Sequence, residues 1–246
     1  MSNLKTIKLM GKRILLSIAY IVMLGCNGLA NGLPLNGKNT GELSDQYPNL
    51  FVPAGLTFSI WGVIYLLLLA FVVNVWIKKK EVSKWIIINF FANASWIFAW
   101  HYEILWLSLV IMLVILGSLI LINQDSKTSD TLSKAAFGVY LGWICVATIA
   151  NVTALLVGSD WHGGFLSEAN WTFIMIAIGG AIGAFAITQL NNSFIAAAFL
   201  WAFLGIYIKR SAALEQYPII TIGILLGGAF VLVGVFLHLK NKRLNV

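Results

Sequence analysis

Charge is scarce in this chain. Of its 246 residues, 10% are Asp, Glu, Lys or Arg, against about 25% in soluble domains, so a water-soluble globule is excluded. Disorder is excluded by the same scarcity, because a chain that is 60% hydrophobic with mean hydropathy +0.89 cannot stay solvated. Cysteine is almost absent. Cys26 and Cys145 both lie in apolar stretches, with no CxxC pair or zinc spacing, and read as small packing hydrophobes. The three histidines are scattered: His101, His162 and His238 read as interfacial residues rather than a metal site, with His101 alone placed to serve as an axial haem ligand. Acids number nine against sixteen bases, a net charge of +7. No basic stripe with stacking aromatics accompanies it, so nucleic acid is excluded as a partner and the excess belongs to cytoplasmic loops.

What is abundant is long apolar sequence. Eight runs are bounded by charge or turn residues: Ile14–Leu33, Leu56–Ile77, Trp85–Trp100, Ile104–Ile122, Ala135–Val157, Trp171–Leu190, Phe194–Ile208 and Ile219–Leu239. Each approaches the about 20 residues that a spanning helix needs. Barrel strands would alternate polar and apolar residues instead, and only helices otherwise satisfy the backbone in lipid. The expectation is an all-α membrane protein of eight transmembrane helices. The N-terminus looks like a secretory signal, and Gly25-Cys26 imitates a lipoprotein cleavage site. The full membrane length of that run makes it the first span.

Orientation follows from counting. With both termini inside, the inner segments hold Lys5, Lys8, Lys12, Arg13, Lys78, Lys79, Lys80, Lys84, Lys127, Lys134, Lys240, Lys242 and Arg243, thirteen of the sixteen bases. Only Lys38, Lys209 and Arg210 fall outside, with six of the nine acids. This satisfies the positive-inside rule for a multi-pass protein of the cell membrane with cytoplasmic termini. Lys209 and Arg210 are the local violation.

No Asp, Glu, Lys or Arg lies in the middle of a span. That absence argues against a proton- or sodium-driven pump, and it leaves no paired carboxylates or Ser-His-Asp set for an enzyme. What the spans do hold is aromatic and amide stripes. Phe58, Trp61 and Tyr65 recur along the second span; Asn89, Asn93, Trp96 and Trp100 share one face of the third; Tyr140, Trp143, Ala147 and Asn151 repeat the pattern on the fifth. Plain packing is one reading, since interhelical amide bonds average only about 0.6 kcal/mol. A pocket for a flat, apolar ligand is the other. At 1.5 Å per residue, Trp61 lies about 8 Å from the outer surface, beneath a loop from Pro34 to Gly55 long enough to act as a lid.

At these residues the chain resembles the tryptophan-rich sensory protein and translocator protein family (TspO, or peripheral benzodiazepine receptor). PAGLTFSIWGVIYLLL at Pro53–Leu68 resembles the family's loop into its second helix. NFFANASW at Asn89–Trp96 resembles its third-helix pattern, and YLGWICVATIAN at Tyr140–Asn151 its fifth. The three occur in order and in register. The resemblance covers Ile14–Val157 and implies a five-helix bundle over residues 1–158, followed by a three-helix C-terminal extension over 159–246.

It further implies a receptor or carrier for a porphyrin-like tetrapyrrole, with sterols a second choice. Protoporphyrin or haem would enter as ligand, not as a required cofactor. By this carry-over Trp61, Asn93, Trp143 and Ala147 line the site, with Tyr65, Asn89, Trp96 and Asn151 around it. Two other activities stay open: light-dependent breakdown of the porphyrin, and transport of another hydrophobic solute. Departures exist too. Phe51-Val52-Pro53-Ala54 stands where the family has Trp-Thr-Pro-Pro, and Val152–Gly158 lacks the sterol signature, although Leu204–Lys209 fits its loose form. Gly179 with Gly183, and Gly223 with Gly227, suggest close helix packing, against the core or in a homodimer.

Overall fold

The structure is a computed structural model that describes residues 2–33, 35–161, 163–211 and 215–244. Pro34, which begins the expected lid, and His162 lie outside the described residues. Among the described residues there is no strand. The longer helices are α1 (Ser2–Gly32), α3 (Ile60–Ile77), α4 (Lys84–His101), α5 (Leu105–Gln124), α6 (Thr131–Gly158), α7 (Glu168–Gln189), α8 (Ile195–Arg210) and α9 (Pro218–Leu244). A short helix, α2 (Thr40–Asp45), and a 3-10 turn, Gly55–Ser59, shape the segment before α3.

Each apolar run has become a helix, because a continuous apolar sequence can satisfy its backbone in lipid only by bonding within itself. Among the described residues, six stretches are long and apolar enough to cross a membrane: Thr6–Gly32, Gly55–Ile77, Leu105–Gln124, Thr131–Gly158, Glu168–Gln189 and Pro218–Leu244. The protein is therefore a multi-pass membrane protein. The two remaining helices, α4 of 18 residues and α8 of 16, are about 27 and 24 Å long at 1.5 Å per residue. Large apolar side chains such as Ile21, Leu66, Leu113, Phe185, Leu225 and Phe236 are exposed along the helices, as side chains facing lipid would be.

Helix stops share one device. Lys79, Glu103, Asp160 and Asn191 follow the ends of α3, α4, α6 and α7 and take left-handed φ of 50°, 57°, 54° and 49°. In each case the next amide reaches back across the last turn: Lys80 to Val75, Ile104 to Ala99, Trp161 to Leu156 and Asn192 to Ile187, at 2.9–3.1 Å. This is the Schellman closure, here made without glycine.

The chain forms two compact units that are interleaved along the sequence. The first comprises Met1–Thr40 and Gly62–Phe137, the second Gly41–Trp61 and Gly138–Val246. Their boundaries fall inside α2, α3 and α6. Within the first unit α4 packs on α1 and α5. Its basic turn is tied down: Arg13 donates to the carbonyls of Lys79 and Lys80, Lys80 Nζ meets Asp130 at 2.8 Å, and Lys127 meets Glu81 at 3.6 Å. Burial works to raise the Asp130 pKa, but hydrogen bonds from Lys80 and Ser133 and the lysine's charge prevail and hold it at about 2.

The second unit is built on small residues. α7 lies against both α9 and α8, and α8 against α9. A Cβ on Gly180 would stand 2.5 Å from the Gly227 backbone, and one on Gly234 2.6 Å from Ala184. Gly183 faces Phe199 and Val231 at 3.1–3.2 Å. The Gly-x-x-x-Gly stripes thus pack within the chain, and a homodimer would have to use other faces.

Candidate functional site

The expected ligand residues fall into two groups, one in each unit. In the second unit, Trp61 opens α3 and meets two residues of α6 edge-on. Its ring lies 5.9 Å from Tyr140 at 67° and 6.3 Å from Trp143 at 84°. Phe58, in the 3-10 turn, makes a third such contact, 6.0 Å from Trp143 at 83°. These T-shaped arrangements put positive ring edges against negative faces. Tyr140 and Trp143 are buried, whereas Phe58 and Trp61 stay half-buried and keep ring surface outside the cluster. Further along α6, Ala147 is half-buried and Asn151 is buried.

The Trp143 indole is 3% exposed, yet its Nε1–H has no hydrogen-bond partner among the described residues. A buried donor left unpaired costs about 1–3 kcal/mol.

The position of Phe58 and Trp61 is set by α8, a helix in which the sequence showed only the loose sterol pattern at Leu204–Lys209. Trp201 donates its indole N–H to the Thr57 carbonyl at 2.9 Å, and the Ala54 amide donates to the Gly205 carbonyl at 3.0 Å. Gly205 has no room for a Cβ, because Thr57 and Pro53 press on it. Trp201 and Gly205 lie four apart on one helical face, and that spacing was the available signal.

In the first unit the amides serve helix packing. Asn93 Oδ1 accepts from Asn27 Nδ2 at 2.7 Å, joining α4 to α1. Asn89 donates to Ser118 Oγ at 2.9 Å and to the Ile115 carbonyl at 3.2 Å, joining α4 to α5, and its own Oδ1 has no partner among the described residues. Asn27 belongs to a ladder that sequence reasoning missed. Asn31 donates to the Asn27 carbonyl at 2.9 Å and accepts from the Thr40 amide at 3.3 Å. Two asparagines four apart in an otherwise apolar span were its signal. Trp96 and Trp100 stack at 5.7 Å and 15°, and Trp96 Nε1–H is buried without a partner among the described residues. Tyr65 is half-buried, and its carbonyl accepts from Tyr20 at 2.9 Å.

His101 is fully buried, with Nδ1 2.8 Å from the Ile97 carbonyl and Nε2 without a partner among the described residues. That pattern fixes the tautomer with its lone pair on Nε2. Among the described residues, no three His, Cys, Asp or Glu side chains gather in a metal-binding group.

Apolar helices long enough to cross a membrane, with buried asparagine amides and indoles in both units, define a multi-pass membrane protein. The family model described as TSPO-like protein matches residues 13–237, so the chain belongs to that family. The match runs well past Val157 and takes in α7, α8 and most of α9. No curated protein matches the chain, and no solved structure does.

Proposed function

We propose that this protein is a membrane receptor or carrier for a planar, porphyrin-like tetrapyrrole, held against Phe58, Trp61, Tyr140 and Trp143 with Ala147 and Asn151 alongside. The observation that carries this reading is the buried, unpaired Trp143 N–H beside two half-buried rings. A porphyrin supplies what the cluster lacks: a large π-face for Trp61 and Phe58, and carboxylates or ring nitrogens to accept from the indole. Membership in the TSPO-like family supports the same reading. In this view all eight long helices cross the cell membrane and both termini are cytoplasmic, which the concentration of bases in the inner segments favours.

Each aromatic contact contributes about 0.5–1.5 kcal/mol beyond area burial, so affinity is expected near the micromolar range, where binding is worth about 8 kcal/mol. Titration of the purified protein with protoporphyrin, followed by Trp quenching and the Soret band, tests this. Trp143→Phe keeps a ring and removes the donor; it should weaken binding about 5- to 30-fold, the equivalent of 1–2 kcal/mol. Unchanged affinity in the Trp61→Ala/Trp143→Ala double variant would overturn the proposal.

A further inference from the structure

The second unit has a cavity of a different kind. About 290 Å³ in volume, it is lined by Asp45, Tyr47, Asn49, Glu168, Lys209 and Arg210 among others. Its lining contains two cations and two carboxylates, and its size stands at the lower bound of the about 300–1,000 Å³ typical of small-molecule pockets. A macrocycle does not suit it; a small polar guest does.

Arg210 is its unusual member. The residue is half-buried, and among the described residues its Nε and Nη2 donate only to backbone carbonyls, Leu50 at 3.2 Å and Asn49 at 2.8 Å. Among the described residues no carboxylate lies within 4.0 Å of it, the nearby lysine having taken Asp45 at 2.8 Å. Burial lowers the guanidinium's pKa below its ordinary value, against weaker opposite pulls from Tyr217, Glu168 and Asp45. A partly desolvated cation with only neutral partners is stabilised by an added anion. The receiving wall is also ordered. Asn49 Oδ1 accepts from the amides of Phe51 and Val52 at 3.0–3.1 Å, and its Nδ2 donates to the Tyr47 carbonyl at 2.8 Å, which fixes the two carbonyls that hold Arg210.

We propose that this cavity binds a small zwitterion, its oxyanion on Arg210 and Lys209 and its ammonium on Asp45 and Glu168, the chemistry of phosphoethanolamine. A guest of one sign meets two like charges here, whereas a zwitterion meets none when oriented this way. The same chemistry is presented by a free solute and by a lipid head group. The site also gives the two cations that break the positive-inside pattern a reason to be there. It is independent of the tetrapyrrole reading.

The test uses the full-length protein in detergent, titrated calorimetrically with O-phosphoethanolamine, glycerol phosphate and ethanolamine. A parallel arm uses nanodiscs of phosphatidylcholine with and without phosphatidylethanolamine, read by hydrogen exchange over residues 41–54. Saturable binding that prefers phosphoethanolamine over both single-charge probes is expected. Arg210→Gln should weaken it at least about tenfold, as loss of a charged partner does, and Asp45→Asn should erase the preference over glycerol phosphate. Saturation by the free compound identifies a solute; protection only in phosphatidylethanolamine discs identifies the head group. Equal binding of all three probes, or no response in either arm, overturns the proposal, and this comparison needs only the wild-type chain.

Discussion

The two units hold their helices together by opposite means. In the first, polar side chains reach across: Asn27 to Asn93, Asn89 to Ser118, Tyr20 to the Tyr65 carbonyl, and Lys80 to Asp130. In the second, side chains are removed: Gly180 meets Gly227, Gly234 meets Ala184, and Gly205 meets Thr57 and Pro53. Both answer one problem. Lipid is as apolar as a leucine side chain, so helices gain little by burying apolar surface and must associate through hydrogen bonds or close backbone contact. The difference has consequences. An amide bridge tolerates small shifts, whereas a glycine contact admits one geometry, and it is the glycine-packed unit that holds the edge-on aromatic cluster.

The comparison breaks most easily at the glycines. Gly227→Leu should destabilise the protein by about 1–3 kcal/mol or more, the range for overpacking, because its Cβ would lie 2.9 Å from the Ile176 carbonyl. Gly228→Leu, with nothing within 4 Å, should be near neutral. Thermal unfolding in detergent reads both, and equal losses would mean that α9 does not pack through this face.

Amide substitutions should be milder. Asn93→Leu removes the bridge to Asn27 and should cost about 0.6 kcal/mol, at most about 1.7. A double-mutant cycle with Asn27→Leu measures the coupling, and a value near zero would remove the contrast between the units.

Smaller still is the effect of pH. Because Asp130 titrates at about 2 when folded, below its ordinary 3.8, the unfolded chain binds the proton first as pH falls. The stabilisation is complete above about pH 5 and declines between about pH 4 and pH 2. The pair is partly exposed, with Lys80 at 19% and Asp130 at 39%, so solvent screening keeps it under about 1 kcal/mol. Unfolding followed against pH should lose this slope in Asp130→Asn. The smallest change expected is a gain: Asp160→Gly relieves a left-handed residue at φ 54° and should raise stability, read by thermal unfolding, by a few tenths of a kcal/mol.

Much of the fold was legible because lipid simplifies the code. The run Trp85–Trp100 became Lys84–His101, and Ile104–Ile122 became Leu105–Gln124. α1 began earlier than the expected Ile14, at Ser2, since a helix continues through basic residues once nucleated and apolarity marks only its buried part. The candidate site was legible in kind but not in arrangement. Asn89 and Asn93 share a helix face by spacing, yet one binds α5 and the other α1. A stripe wide enough to touch two neighbours does not say which neighbour each residue takes.

Composition and run length by themselves determined that this chain crosses a membrane repeatedly as helices, because an unpaired backbone in hydrocarbon is too costly for any other open form. The Trp, Asn and Gly patterns marked which side chains would leave the lipid. Only the tertiary structure decided their partners: that Trp201 and Gly205 seat the turn bearing Phe58, that the glycine stripes close on each other within one chain, and that Arg210 rests on the carbonyls of Asn49 and Leu50. These contacts join residues more than a hundred positions apart or on facing helices, and periodicity along one helix carries no information about the helix across from it.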